Sequence, residues 1–493
     1  MRVRVVFKFL SFMAFIISGC MTIPFIIEAV LRGQDRYAFA LSLAVGFGVG
    51  ALLYLAGGKS DMSRMSSREA LMSVAMSWVV ASLISAFPYL LSGAAPTYTD
   101  AFFESMSGYT TTGSTIFPAL DALPHGLLTW RAITHWLGGM GIIALTLAML
   151  PHSGAGGFQM FSAESPGMTH EKITPRLRQT AVLLWLIYAF LTASLTVLLM
   201  LGGMTFFDAA NHSMATISTG GFSTHSSSLA FFGEPYFEWV ITIFMFLSGA
   251  NFALHFQALK GRSASHFLTD PEFRFYAISV SAITLLVSFS LYIGDIYGSF
   301  LESLRFGAFQ AVSFITSTGF VSANYEVWPH FAKALLFICL FLGGCSGSTA
   351  GGIKHARLLV MGGHLGRQLG RTLNPRSVAA FPMGSRSIDP SVMSSCMAFF
   401  GLYLTTFAAG AFAATLFEGD LITALSAAAS SLGNVGPAFV RLGPEYNFSG
   451  QATGAKWVYS FLMLCGRLEL YTVLSLFTGT FWREGIICGW ERD

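Results

Sequence analysis

The sequence predicts an all-α membrane protein in which two transmembrane helices precede four helix–short loop–helix repeats set around one axis. Three observations lead there. Of the 493 residues 54% are hydrophobic and only 11% charged, whereas a soluble globular chain carries about 25% charged residues. The apolar residues fall into separate runs. Charge-free stretches occupy 9–27, 37–58, 70–99, 132–163, 179–207, 239–259, 275–294, 334–353 and 390–417, and a tenth, 457–481, is broken only by Arg467 and Glu469. Each can cross a hydrocarbon core about 30 Å thick, which takes about 20 residues of helix. Finally, one short string recurs four times along the chain.

The first run lacks a small-residue cleavage site before a soluble domain and reads as a retained helix. The six cysteines show no CxxC spacing and read as core thiols. Basic residues gather in alternate connections: Arg2, Arg4 and Lys8; Lys59, Arg64 and Arg68; Lys172, Arg176 and Arg178; Lys260, Arg262 and Arg274; then Arg357, Arg367, Arg371, Arg376 and Arg386. The positive-inside bias puts those connections and both termini in the cytoplasm. Topology thus accounts for the net charge of +3, and nucleic acid is not implied. The opposite connections carry Asp100, Glu104 and Asp121, then Asp208 and Glu234, then Asp295, Glu302 and Glu326, then Glu418, Asp420 and Glu445. An acidic mouth raises local cation concentration, although ordinary loop solubility explains those residues equally well.

Within those four acidic connections lie the recurrent strings: Ser107-Gly-Tyr-Thr-Thr-Thr-Gly113, Met214-Ala-Thr-Ile-Ser-Thr-Gly220, Ser313-Phe-Ile-Thr-Ser-Thr-Gly319 and Ser430-Ser-Leu-Gly-Asn-Val-Gly436. A period near 100 residues marks an internal repeat of one supersecondary unit. The expected units are 70–163, 179–260, 275–365 and 390–482, with residues 1–58 outside them. Irregular backbone at membrane depth is tolerated only where protein or a water-filled path receives it. Four such loops meeting on an axis present rings of carbonyl oxygens that can replace a cation's hydration shell. Glycine permits the backbone angles this needs, and the C-terminal end of each short helix favours a cation. For any single string a helix-capping turn glycine is the simpler reading. Four equivalent loops argue against it.

Two features occur once only. The segment 342–354 carries Gly343, Gly344, Gly347, Gly351 and Gly352, which makes continuous helix costly at about 1 kcal/mol per Gly against Ala. An unwound plug and close helix packing through small residues remain equal alternatives on physics alone. Arg467 and Glu469 sit inside the last span, where charges face a path or pair with each other; either a pore-facing arginine or an internal ion pair fits. Lys354 should snorkel to the membrane interface, and His135, His152 and His255 read as packing or interfacial residues.

The repeat, the strings TTTGST, STGGFST, STGFVS and NVGPAF, and the segment CGRLELYT around Arg467 together resemble the Trk/Ktr/HKT superfamily, in its TrkH/TrkG branch of bacterial potassium uptake proteins. The resemblance covers essentially the whole chain. It implies a K⁺ selectivity filter formed by Thr111, Thr112 and Gly113, Ser218, Thr219 and Gly220, Ser317, Thr318 and Gly319, and Asn434, Val435 and Gly436. It also implies a gate in the glycine-rich segment with Arg467 facing the pore. Further implications are an inner-membrane location, a homodimer, and a cytosolic TrkA-type nucleotide-binding regulatory subunit. The basic connection 357–386 and residues 490–493 are its expected contacts. No cofactor is expected beyond K⁺ as transported ion, and the chain carries no nucleotide site of its own. Gated K⁺ uptake driven by membrane potential ranks first. Symport with H⁺ or Na⁺ would want buried carboxylates in the spans, and an enzyme would want converging His, Asp or Glu ligands; neither pattern is evident.

Overall fold

The computed structural model describes residues 1–62, 65–140, 177–261, 265–373, 382–383, 386–387 and 390–482. Apart from a two-residue strand pair, Pro382–Met383 with Arg386–Ser387, the regular structure of these residues is helical. The first two helices, α1 (Val3–Val30) and α2 (Arg36–Gly57), form a hairpin. Their close approach is set by glycine. A Cβ at Gly46, Gly50 or Gly57 would meet Ser18, Phe15 or the backbone of Lys8.

One order of elements then recurs. A long helix leads: α3 (Ser67–Leu91). A short one follows, α4 (Tyr98–Tyr109), then an irregular loop, then α5 (His125–Gly139). The second pass is α6 (Leu177–Leu201), α7 (Phe206–Ile217) and α8 (Pro235–Ser248), extended by α9 (Phe252–Gly261). The third is α10 (Pro271–Ile293), α11 (Phe300–Ile315) and α12 (His330–Cys339), followed after a gap by α13 (His355–Leu373). The fourth is α14 (Pro390–Thr415), α15 (Leu421–Gly433) and α16 (Thr453–Arg467), extended by the segment α17 (Tyr471–Phe477).

The short helices start alike because their caps are alike. The side chains of Thr97, Thr205, Ser299 and Asp420 accept from the backbone N–H of Asp100, Asp208, Glu302 and Thr423. Each such cap is worth about 1 kcal/mol. A buried ion pair of 2.6 Å between Lys456 and Asp100 ties α16 to the start of α4. A half-buried pair of 3.0 Å between Arg305 and Glu238 ties α11 to α8.

Six described helices are long and apolar enough to cross a membrane, and two bent pairs could each make one more span. The ten runs are therefore not ten continuous helices. The run 334–353 yields only the ten-residue α12 before the backbone leaves the helix. The pair α8–α9 bends by 97° and α16–α17 by 113°. Glycines mark these breaks: Gly249, Gly343–Gly344 and Gly466, where helix is least favoured. Most of the run 132–163, with His152, and the surfaces expected at 376 and 490–493 lie outside the described residues.

Candidate functional site: a four-loop ring and the segment beneath it

Each short helix ends in the same turn. Thr111, Thr219, Ser317 and Asn434 all adopt left-handed backbone, with φ of 52°, 54°, 53° and 55°. Two residues later a glycine has positive φ in every loop: 84° at Gly113, 78° at Gly221, 78° at Gly319 and 106° at Gly436. The amides of Thr112, Gly220, Thr318 and Val435 donate back to the carbonyls of Ser107, Ala215, Ser313 and Ser430. A non-glycine residue in this region costs roughly 1–2 kcal/mol, so the surroundings impose the same strained turn four times.

This geometry corrects the register expected in the second loop. Gly221, not Gly220, is the counterpart of Gly113, Gly319 and Gly436. Gly220 takes the place of Thr112, and Ser218 falls beside Thr110, just ahead of the turn. The sequence held the signal, since Gly221-Phe222 matches Gly319-Phe320, but the Ser-Thr-Gly similarity of 218–220 to 317–319 draws the alignment one residue early.

The four glycines close a ring. A Cβ on Gly113 would strike the carbonyl oxygen of Gly220, one on Gly221 that of Thr318, and one on Gly319 that of Val435. On Gly436 it would lie 2.5 Å from the carbonyl oxygen of Thr112. Loop one thus abuts loop two, two abuts three, three abuts four, and four returns to one. No side chain fits between a glycine and its neighbour's backbone. The surrounding Thr111, Thr112, Thr219, Ser317, Thr318, Asn434 and Val435 are all buried. Asn434, the outlier of the fourth loop, fastens the circle: its amide donates to Thr112 Oγ1 at 3.1 Å and to the Met463 carbonyl at 2.9 Å.

Residues 340–354 run as irregular backbone against the helix-end side of this ring. A parallel bridge pairs Leu342 with Ile353 and closes the segment on itself. Thr349 Oγ1 donates to the carbonyl of Ile217, 3.1 Å away, at the end of α7. The Gly351 amide donates to Ser317 Oγ at 2.6 Å, and a Cβ there would meet the Gly433 carbonyl. Elsewhere a Cβ on Gly343 would meet Gly351 and one on Gly344 the Gly249 carbonyl, while Gly347 and Gly352 have positive φ. Backbone packed on backbone, rather than helix packed on helix, is what these glycines permit.

Arg467 binds this segment to the first loop. Its guanidinium donates to the carbonyl of Thr349 at 2.7 Å and to Thr111 Oγ1 at 3.2 Å. It also donates to the carbonyls of Gly138 and Gly139, at 2.6 and 2.7 Å, where α5 ends. Glu469, the other charge inside the last span, pairs with Arg357. Lys354 departs from expectation as well. It is buried at 8% exposure, and its ammonium turns back to the Ala350 carbonyl rather than snorkelling outward. His135 packs as expected, stacked on Phe222 at 3.9 Å.

Sequence reasoning missed Glu272 at the start of α10. One carboxylate oxygen accepts from the amide of Ser346 at 2.6 Å and from that of Ala356 at 3.0 Å. It clamps the segment near its middle and caps α13. A carboxylate next to a helix-opening proline gives no hint of a partner 74 residues away.

Residues 36–484 match the TrkH family, described as cation transport proteins. Over 486 residues the chain is 37% identical to the Trk system potassium uptake protein TrkH of Escherichia coli (strain K12), covering 98% of this chain and 100% of that one. TrkG of the same strain is 33% identical over 491 residues, covering 98% and 99%. The crystal structure of the potassium transporter TrkH from Vibrio parahaemolyticus matches with a TM-score of 0.89 at 34% identity, covering 98% and 100%. Fold, site and relatives define a multi-pass membrane transport protein, not an enzyme. The chain belongs to the TrkH family of cation transport proteins.

Proposed function

We propose that this protein takes up K⁺ across the bacterial inner membrane through a gated, channel-like filter driven by membrane potential. The observation that carries the reading is the closed ring of four glycine turns, each against the next loop's carbonyl. Carbonyl dipoles in such a ring substitute for the water around a cation, and four helix C-termini at the ring add negative potential. The units 70–163, 179–260, 275–365 and 390–482 are read as the four repeats, with residues 1–58 as an appended hairpin and both termini cytoplasmic. The filter is Thr111–Gly113, Thr219–Gly221, Ser317–Gly319 and Asn434–Gly436, and K⁺ is cargo rather than a resident cofactor. Residues 340–354 act as the gate, held shut by Arg467. Names of relatives support a Trk-type uptake system; a homodimer and a TrkA-type cytosolic regulator follow from the same likeness.

The membrane potential supplies about 2.3 kcal/mol per charge per 100 mV. Purified protein in proteoliposomes tests the reading. An imposed inside-negative potential should drive K⁺ influx with no H⁺ or Na⁺ gradient present. Uphill K⁺ accumulation that follows an H⁺ or Na⁺ gradient at clamped potential would instead establish symport.

A further inference from the structure

Behind the ring, one position on the four short helices carries four different residues. Counted back from the shared left-handed turn, it is Glu104, His212, Gln310 and Ala427. The first three are fully buried, and each reaches the leg of chain by which its own loop leaves the ring. Glu104 Oε2 accepts from the Ile116 amide at 2.8 Å, and its Oε1 accepts from Thr115 Oγ1 at 3.1 Å. His212 Nε2 shares a 2.9 Å hydrogen bond with Ser223 Oγ. Gln310 Nε2 donates to the Phe320 carbonyl across 3.4 Å. Ala427 has nothing to offer; in its loop Ser430 and Ser426 accept from the amides of Gly436 and Phe439 at 3.0 and 3.1 Å.

The first position alone is charged, and it works in a pair. Arg131, 1% exposed, donates through Nε to Glu104 at 2.7 Å and through Nη1 to the Ser223 carbonyl at 2.9 Å. Its guanidinium lies 3.9 Å over the Phe222 ring. One ion pair therefore grips the outgoing legs of two neighbouring loops, the first through Glu104 and the second through Arg131. Charge-assisted hydrogen bonds are roughly twice as strong as neutral ones. At this position the tethers run from charged to neutral, to long, to none, while Ser313 Oγ also donates to the Phe320 carbonyl at 2.8 Å.

Resting on the reading of the ring as a K⁺ filter, we propose that the buried Glu104–Arg131 pair is the positioning element that sets cation discrimination. Neither residue touches the ion. By fixing the exit legs of loops one and two, the pair holds that half of the ring at K⁺ size. Loops three and four are held at these legs by neutral hydrogen bonds, the weaker kind, and follow a smaller Na⁺ inward more readily. Releasing the pair frees the rigid half, and Na⁺ rejection falls.

The test is K⁺ against Na⁺ flux through purified full-length protein in proteoliposomes, with thermal unfolding measured in parallel. Glu104→Gln should lower the K⁺/Na⁺ flux ratio about tenfold, equivalent to about 1.4 kcal/mol. It should also destabilise the protein, because it strands a buried guanidinium. Glu104→Gln combined with Arg131→Met removes both charges and should regain thermal stability while the ratio stays low. A double variant with the wild-type ratio would reduce the pair to a structural brace and overturn the proposal. Thr115→Val, a milder cut at the same tether, should shift the ratio in the same direction by a smaller factor; an unchanged ratio there counts against the proposal even if the other variants do not fold. The filter reading fails separately, through a wild-type protein without K⁺ preference or a Gly221→Ala variant with undiminished K⁺ flux.

Discussion

Replacing Arg467 with alanine should open the path, and the size of the effect can be worked out from the bonds its guanidinium makes to four described acceptors. Two go to the carbonyls of Gly138 and Gly139, one to Thr111, and one to the Thr349 carbonyl. The last holds the irregular segment 340–354 and so enters the gating equilibrium directly. A hydrogen bond from a charged group contributes about 1.5–3 kcal/mol. At 1.4 kcal/mol per decade its loss shifts the closed-to-open ratio by roughly ten- to a hundredfold. Removing a positive charge from beneath the ring also lowers the barrier to a passing cation, so both effects raise K⁺ flux. Arg467→Lys separates them: an ammonium keeps the charge but cannot span carbonyls on α5 and on the segment with a planar fork. The expected order of flux in proteoliposomes is wild type, then Arg467→Lys, then Arg467→Ala. Equal flux for wild type and Arg467→Ala, with both proteins folded, would refute the latch. Equal flux for wild type and Arg467→Lys would leave only the electrostatic barrier.

Two further outcomes test the register and the clamp. Gly221→Ala should abolish rescue of a K⁺-uptake-deficient bacterium at low external K⁺ whether or not His135 is also Ala. Gly220→Ala, whose Cβ meets the His135 ring rather than backbone, should regain growth once His135→Ala clears that space; the reverse pattern would restore Gly220 as the ring glycine. Glu272→Ala strips two amides of their acceptor, each bond worth about 1.5–3 kcal/mol. Hydrogen exchange across 341–356 should then speed up by at least about tenfold, and an unchanged rate would remove Glu272 from control of the segment.

The sequence by itself determined whatever is decided locally. Hydropathy runs long enough to span a bilayer marked the membrane class. Glycine marked the places where helix could not continue, because its conformational freedom is a property of the residue. The four strings gave four equivalent loops, and three of the four ring glycines carry the expected numbers: Gly113, Gly319 and Gly436.

Only the tertiary structure decided partners. Arg467 and Glu469 are two residues apart, yet one reaches Thr111 and Thr349 and the other Arg357. A buried charge takes whichever acceptor the packing brings within about 3 Å, and sequence separation carries no information about that distance. The same holds for Lys354, whose burial depends on a segment that folds back beneath the ring instead of continuing outward. Gly221 became the ring glycine because its Cα, not that of Gly220, sits against the Thr318 carbonyl of the next loop. The tethers at Glu104, His212 and Gln310 follow the same rule: their residue types were visible, but their common place behind four loops existed only once the chain had closed the ring.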